Sequence, residues 1–203
     1  MIYSGVDWSG SPGREQGPWL VFAIVHVGAT DLPSLELALA NARRNLGRDP
    51  DYAFKHSRAK SFVDVHHRFY EAIRRVSWHA HVHMLDKAGW SGQRVKGSRG
   101  TDCICDGLVA LVIGCPIAVV AHQVLFIDLP PTEASTVQSY RTAMRKSLKG
   151  IRRTGFKNVR PCPDHRQHGA IIQVADMIAG EVREHKGLAG PFLPELRSRV
   201  RLV

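Results

Sequence analysis

The chain has 203 residues, enough for one good hydrophobic core and too few for two comfortable domains. A composition of 44% hydrophobic and 23% charged residues is ordinary for a globular chain, so disorder is not the default, and no apolar run approaches the roughly 20 residues of a membrane span. The net charge of +10 favours an anionic partner, of which nucleic acid is the commonest for a soluble protein. The opening MIYSGVDWSG has neither a basic nor an apolar leader pattern, so a cytoplasmic location without membrane association is expected.

Ile2 to Asp7 reads as a short strand, followed by a Ser-Gly-Ser-Pro-Gly turn from Ser9 to Gly13. Pro18 to Gly28 (PWLVFAIVHVG) is an almost continuous apolar run, the pattern of a central strand covered on both faces. The two make a hairpin. A helix is predicted from Asp31 or Ser34 to Leu46, stopped by Gly47, and Tyr52 to Lys55 could form a short third strand. Phe62, Val65, Phe69, Ala72, Ile73 and Val76 recur at helical spacing, predicting an amphipathic helix over Ser61 to Val76. Trp78 to Leu85 switches to period two, with Trp78, Ala80, Val82 and Met84 on one face and His79, His81 and His83 on the other.

Ala88 to Thr101 is glycine-rich and basic and reads as a loop. Next come a helix over Asp102 to Cys115, a buried strand ending VLFID at Asp128, and a helix from Thr132 to Gly150. Lys157 to Cys162 is extended, and Ala170 to Lys186 is the last helix. A hairpin followed by helical crossovers implies one α/β domain over residues 1–203: a mixed sheet, antiparallel first and then parallel, with helices on both faces. Cys103, Cys105, Cys115 and Cys162 show neither a disulfide framework nor a zinc spacing and read as reduced, mostly buried thiols.

The candidate chemistry is acidic. Asp7, Asp86 and Asp128 each end a strand, where α/β sheets place their sites, although a strand-end aspartate also serves as a turn-former. Asp176 lies inside GAIIQVADMIAG, a helix apolar nearly all round, where a charge is costly unless paired or bound to metal. Gln173 shares its face. The alternative is a buried aspartate paired with an arginine or holding a backbone turn. Converging carboxylates suit hard ions such as Mg²⁺ or Mn²⁺, which relieve the carboxylates' repulsion and can support phosphodiester cleavage.

Positive charge supplies the complement. Between Ala134 and Pro163 there is no acidic residue, and Arg141, Arg145, Lys149 and Arg152 fall on one helical stripe suited to phosphates, if it is not merely a soluble face. Arg94, Lys96 and Arg99 of the glycine-rich loop are a second basic group. Zinc on the His79 strand is a rival chemistry, since an H-x-H pair can hold that ion, although alternating histidines also make a half-exposed polar face. His56, His165 and His168 sit in loop-like segments and could shuttle protons.

The segments VDWSG, FKHS (Phe54 to Ser57), MLDK (Met84 to Lys87), LFID (Leu125 to Asp128) and IIQVADMIAG (Ile171 to Gly180) run through most of the chain. Through them the chain resembles the domain-of-unknown-function family 3800, placed in the ribonuclease H-like superfamily. The resemblance implies a ribonuclease H-like fold and an acidic site of Asp7, Asp128 and Asp176, with Gln173, Lys55 and Ser9 as neighbours. Trp8 stands where the family usually has a glutamate, and Ala53 where another acid often precedes Phe-Lys. That loss either lowers metal affinity or leaves Asp86 or Glu181 to complete the set.

The leading expectation is therefore a divalent-metal-dependent nuclease cutting DNA or RNA. The rivals are a nucleic-acid- or partner-binding module with a degenerate site, and a zinc hydrolase. A protein partner and a homodimer both stay open.

Overall fold

The computed structural model describes residues 1–11, 17–59, 61–88, 99–115, 123–127, 156–161 and 169–203. Strands β1 (Ile2–Ser9) and β2 (Trp19–Gly28) form the expected hairpin, in register from Ile2↔Gly28 to Ser9↔Val21. Leu20 to Val27 are all buried, which accounts for the unbroken apolar run: β2 has no solvent face on which polar residues could alternate. Helix α1 (Leu32–Asn45) stops just before Gly47, whose φ of +61° lies in the left-handed region that favours glycine.

Tyr52 to Lys55 departs from expectation, because it joins no strand. The backbone N–H groups of Phe54 and His56 are taken by side chains rather than by a neighbouring strand, and the short helix α2 (His56–Ala59) follows at once. Helix α3 (Val63–Arg74) buries Val65, Phe69 and Ile73 as its spacing predicts. Strand β3 (His79–Asp86), helix α4 (Arg99–Gly114), strands β4 (Gln123–Ile127) and β5 (Phe156–Pro161) and helix α5 (Gly169–His185) all lie close to the predicted segments. A 3-10 turn (Pro194–Leu196) and a three-residue strand β6 (Val200–Leu202) close the chain; neither carries a pattern long enough to read.

The described strands form one sheet in the order β5-β4-β1-β2-β3-β6. β2 pairs antiparallel with β1 and β3, whereas β4 runs parallel to β1 and β5 parallel to β4. β6 runs parallel to β3. Side-chain alternation then assigns the faces. Val21, Ala23, Val25 and Val27 pack with residues of α1, α3 and α5 in the main core. His26, on the opposite face, meets Cys115 just beyond α4. Helices therefore cover both faces, and the architecture is a ribonuclease H-like α/β fold. No helix of the described residues is long and apolar enough to cross a membrane.

The segment Thr132 to Gly150, predicted to be a helix and carrying Arg141, Arg145 and Lys149, lies outside the described residues, as do Arg152, Arg94, Lys96, Asp128, His165 and His168. Arg99 is the first residue of α4.

Candidate functional site

Glycine sets the position of α5. Gly5 lies on the sheet face toward that helix, and a Cβ there would come within 2.5 Å of Ile171 Cγ2 and 3.1 Å of the Ile171 carbonyl carbon. Only a missing side chain allows this approach. Farther along, Arg183 lies against Gly10, so α5 follows β1 in the same direction. Asp7 sits between Gly5 and Gly10 and, by alternation, on the face of Gly5, while Asp176 sits between Ile171 and Arg183 on the helix laid over it. Asp7 is 7% exposed and accepts the N–H of Trp8 at 2.6 Å. The fold thus sets the helix that carries Asp176 against the strand that carries Asp7, although the two residues are 169 apart in sequence (176 − 7).

Asp176 and Gln173 also hold the chain. Gln173 Oε1 accepts hydrogen bonds from the Phe54 N–H (3.1 Å) and from the Arg43 guanidinium (3.0 Å). Asp176 Oδ2 accepts the His56 N–H at 2.6 Å. Half-buried Lys55 lies between these two clamped residues. Gly180, the next small residue on this helix face, lets the His56 imidazole sit directly on the helix backbone. The spacing Gln173, Asp176, Gly180 therefore docks the Phe54–His56 segment, which explains why it forms no strand. Gln173→Ala would leave a buried N–H and a half-buried guanidinium without this acceptor. It is expected to lower stability by about 2–3 kcal/mol in chemical denaturation, whereas Gln173→Glu, which keeps an acceptor, loses less.

Of the remaining acids, Asp86 is exposed, pairs across the sheet with Trp19 and accepts the Ala88 N–H at 2.9 Å, so it caps a turn two strands away from Asp7. Glu181, the alternative to Asp86 for completing the set, is 1% exposed and enclosed by His56, His66 and His185 at 3.5–3.6 Å. The Trp8 ring lies toward Phe22, 6.4 Å between centroids, on the α4 face of the sheet. No acid thus stands beside Asp7 at that position.

A cleft of about 300 Å³ opens at the end of β1, lined by Ser9, Trp19, His56, Arg183, Glu184 and Lys186. Lys87 donates to the Ser11 carbonyl at 3.0 Å, and its pKa is lowered by partial desolvation and by the positive charge of Arg183. Arg183, Lys186 and Lys87 thus concentrate positive charge at the end of β1; Asp7, expected to end that strand, lies inside it two residues before Ser9, paired with Ala23, because the hairpin pairing runs on past it. The sequence reading missed them because they lie on different elements and make no run.

The histidine strand divides in the folded chain. His79 is exposed, His83 shares a hydrogen bond with the Val203 carbonyl, and His81 is buried. His81 belongs to a buried chain of contacts: Ser4 Oγ to His26 Nδ1 (2.7 Å), His26 Nε2 to Cys115 Sγ (3.1 Å), and Cys115 Sγ to His81 Nδ1 (3.4 Å). Burial, reinforced by His81 and His79, lowers the His26 pKa to about 3, and burial also lowers that of His81. His26 therefore stays neutral in the folded chain while the unfolded chain takes up a proton below pH 6.5. Stability is full above that pH and falls as pH drops toward 3, by at most about 1.4 kcal/mol per unit from this residue. Denaturation midpoints of wild type and His26→Gln between pH 7.5 and 5 should show the slope reduced in the variant.

No protein-family model and no curated protein matches the sequence. Among solved structures, the fold is similar to ribonuclease H2 from Pyrococcus horikoshii OT3, with a TM-score of 0.54 and 15% identity over 98% of this chain and 84% of that one. Bst-RNase HIII in complex with Mn²⁺ is matched at a TM-score of 0.48 and 17% identity, over 98% of this chain and 63% of that one. The first likeness places the chain in the ribonuclease H-like fold class.

Proposed function

We propose that the chain is a divalent-metal-dependent phosphodiesterase acting on nucleic acid, in a single ribonuclease H-like domain that belongs with family 3800. The observation that carries this reading is the seating of α5 on β1, which lays the helix bearing Asp176 over the strand face bearing Asp7. Asp128 follows Ile127, whose Cα partner in the parallel β1–β4 pairing is Val6, the residue before Asp7. These three aspartates are the ligand set proposed here.

The donors fit hard cations: carboxylate oxygens, from positions free of cysteine, suit Mg²⁺ or Mn²⁺. When bound, such an ion would polarise the scissile phosphate and favour ionisation of the attacking water. The chain's own residues do the rest. The His56 N–H fixes one oxygen of Asp176, and the Trp8 N–H fixes one of Asp7, so both carboxylates are oriented in advance. Arg183, Lys186 and Lys87 neutralise phosphate charge at the strand end, and the Arg141–Arg152 stripe with Arg94, Lys96 and Arg99 would extend the contact along the backbone.

Trp8 favours a second reading. With an aromatic ring turned to the other face where the resembled family has an acid, the site would bind nucleic acid without cutting it. Incubating the protein with labelled single- and double-stranded DNA and RNA in Mg²⁺, Mn²⁺ or EDTA separates the two. Cleavage abolished by EDTA supports the phosphodiesterase and identifies its substrate. Salt-sensitive binding without product at any ion concentration would leave the binding module.

A further inference from the structure

Two buried side-chain triads among the described residues could hold a metal: His26 with His81 and Cys115, and His56 with His66 and Glu181. They differ in how their polar atoms are satisfied. In the first, contacts of 2.7–3.4 Å link Ser4, His26, Cys115 and His81 into a continuous hydrogen-bonded chain. In the second, His56 Nε2, His66 Nε2 and both Glu181 carboxylate oxygens are shut off from solvent with no hydrogen-bond partner among the described residues. The side chains are 8%, 10% and 1% exposed.

A carboxylate buried without hydrogen bonds costs several kcal/mol unless a cation compensates it. The geometry indicates which kind. His56 Nε2 and His66 Nε2 lie 3.6 and 3.5 Å from the same oxygen, Glu181 Oε2. That is too long for a good hydrogen bond and close to the edge of about 3.3 Å expected for a tetrahedron of nitrogen and oxygen ligands around zinc. We propose that His56, His66 and Glu181 bind a zinc ion that ties α2, α3 and α5 together.

His185, with Nε2 3.5 Å from Glu181 Oε1, and Glu184, with Oε2 3.5 Å from His56 Nε2, flank the fourth position, and both are partly exposed. Apolar walls close the other side: Phe192 lies 4.5 Å from the His66 ring and stacks on Tyr70 at 4.9 Å. Two imidazoles and a carboxylate are borderline donors suited to zinc rather than to Mg²⁺. The centre is distinct from the aspartate ligand set and does not depend on it. It touches that site through one residue, since His56 also donates its N–H to Asp176. Its role is to hold the segment that orients Asp176.

The test is elemental analysis of untagged full-length protein, made in zinc-supplemented medium and dialysed into metal-free buffer. About one zinc per chain is expected, with retention in Asp7→Asn and Cys115→Ser and loss in His66→Asn and Glu181→Gln, each checked for folding by circular dichroism. Removing zinc with a strong chelator should lower Tm by several degrees, and adding zinc back should restore it. Should both ligand variants fail to fold, cobalt-substituted wild type decides: the proposal requires tetrahedral visible bands without a thiolate charge-transfer band. Folded wild type without zinc and without a Tm response to zinc overturns the proposal. So does a thiolate band, or zinc lost in Cys115→Ser or Asp7→Asn instead.

Discussion

Asp7→Asn and Asp176→Asn are each expected to lower metal-dependent cleavage by on the order of 100-fold or more while leaving the chain folded. Asparagine keeps a side-chain carbonyl, so the Trp8 N–H and the His56 N–H retain their acceptors, and only the negative charge is lost. Asp176→Ala would confound the result, because it also releases the His56 N–H and costs about 1–3 kcal/mol of stability. Single-turnover rates at saturating Mn²⁺, compared with denaturation curves of the same preparations, separate chemistry from folding. Unchanged rates at matched stability would make both aspartates holders of backbone N–H groups and transfer the function to the basic surface.

Gly5→Val should destabilise the protein by about 3 kcal/mol and abolish activity in whatever fraction still folds. The added side chain would meet both the Ile171 side chain and its backbone, and the backbone of a helix pressed on the sheet cannot yield as a surface side chain can. Moving α5 outward separates Asp176 from Asp7 and loosens Ile171, Val174, Ala175 and Ile178, all fully buried in the core under this helix. Urea denaturation gives the stability change. A second substitution, Ile171→Ala in the Gly5→Val background, should recover part of it by making room. A Gly5→Val protein of native stability would mean that the helix does not rest on β1 as described.

Much of this molecule could be read along the chain. The unbroken apolar run of β2 announced a strand covered on both faces, the period-two residues of β3 divided correctly between its faces, and the spacing in α3 named its buried side. Each of these signals is local, arising from the repeat of the backbone and from which face meets water. Asp176 stood out for a similar reason, as a charge in a helix otherwise apolar all round.

Other features depend on residues far apart in sequence. Tyr52 to Lys55 has a strand's composition, yet Gln173 takes the Phe54 N–H and Asp176 that of His56 just beyond it, both from well over 100 residues away, so the segment docks on α5 and not on a strand. The His56–His66–Glu181 cluster lacks a ligand motif because its members come from three helices, whereas the alternating histidines of β3, which look like a motif, are divided between solvent and core. Arg183 joins Lys87 at the strand end without forming a charge run.

The sequence by itself determined the longer periodic elements and their buried faces and singled out Asp176 as a charge in an apolar helix, since periodicity and the cost of a buried charge act within a few residues. Only the tertiary structure decided which histidines converge and which helix covers the strand bearing Asp7, because the packing of α5 on β1 and beside α2 and α3 sets distances between groups that the chain separates.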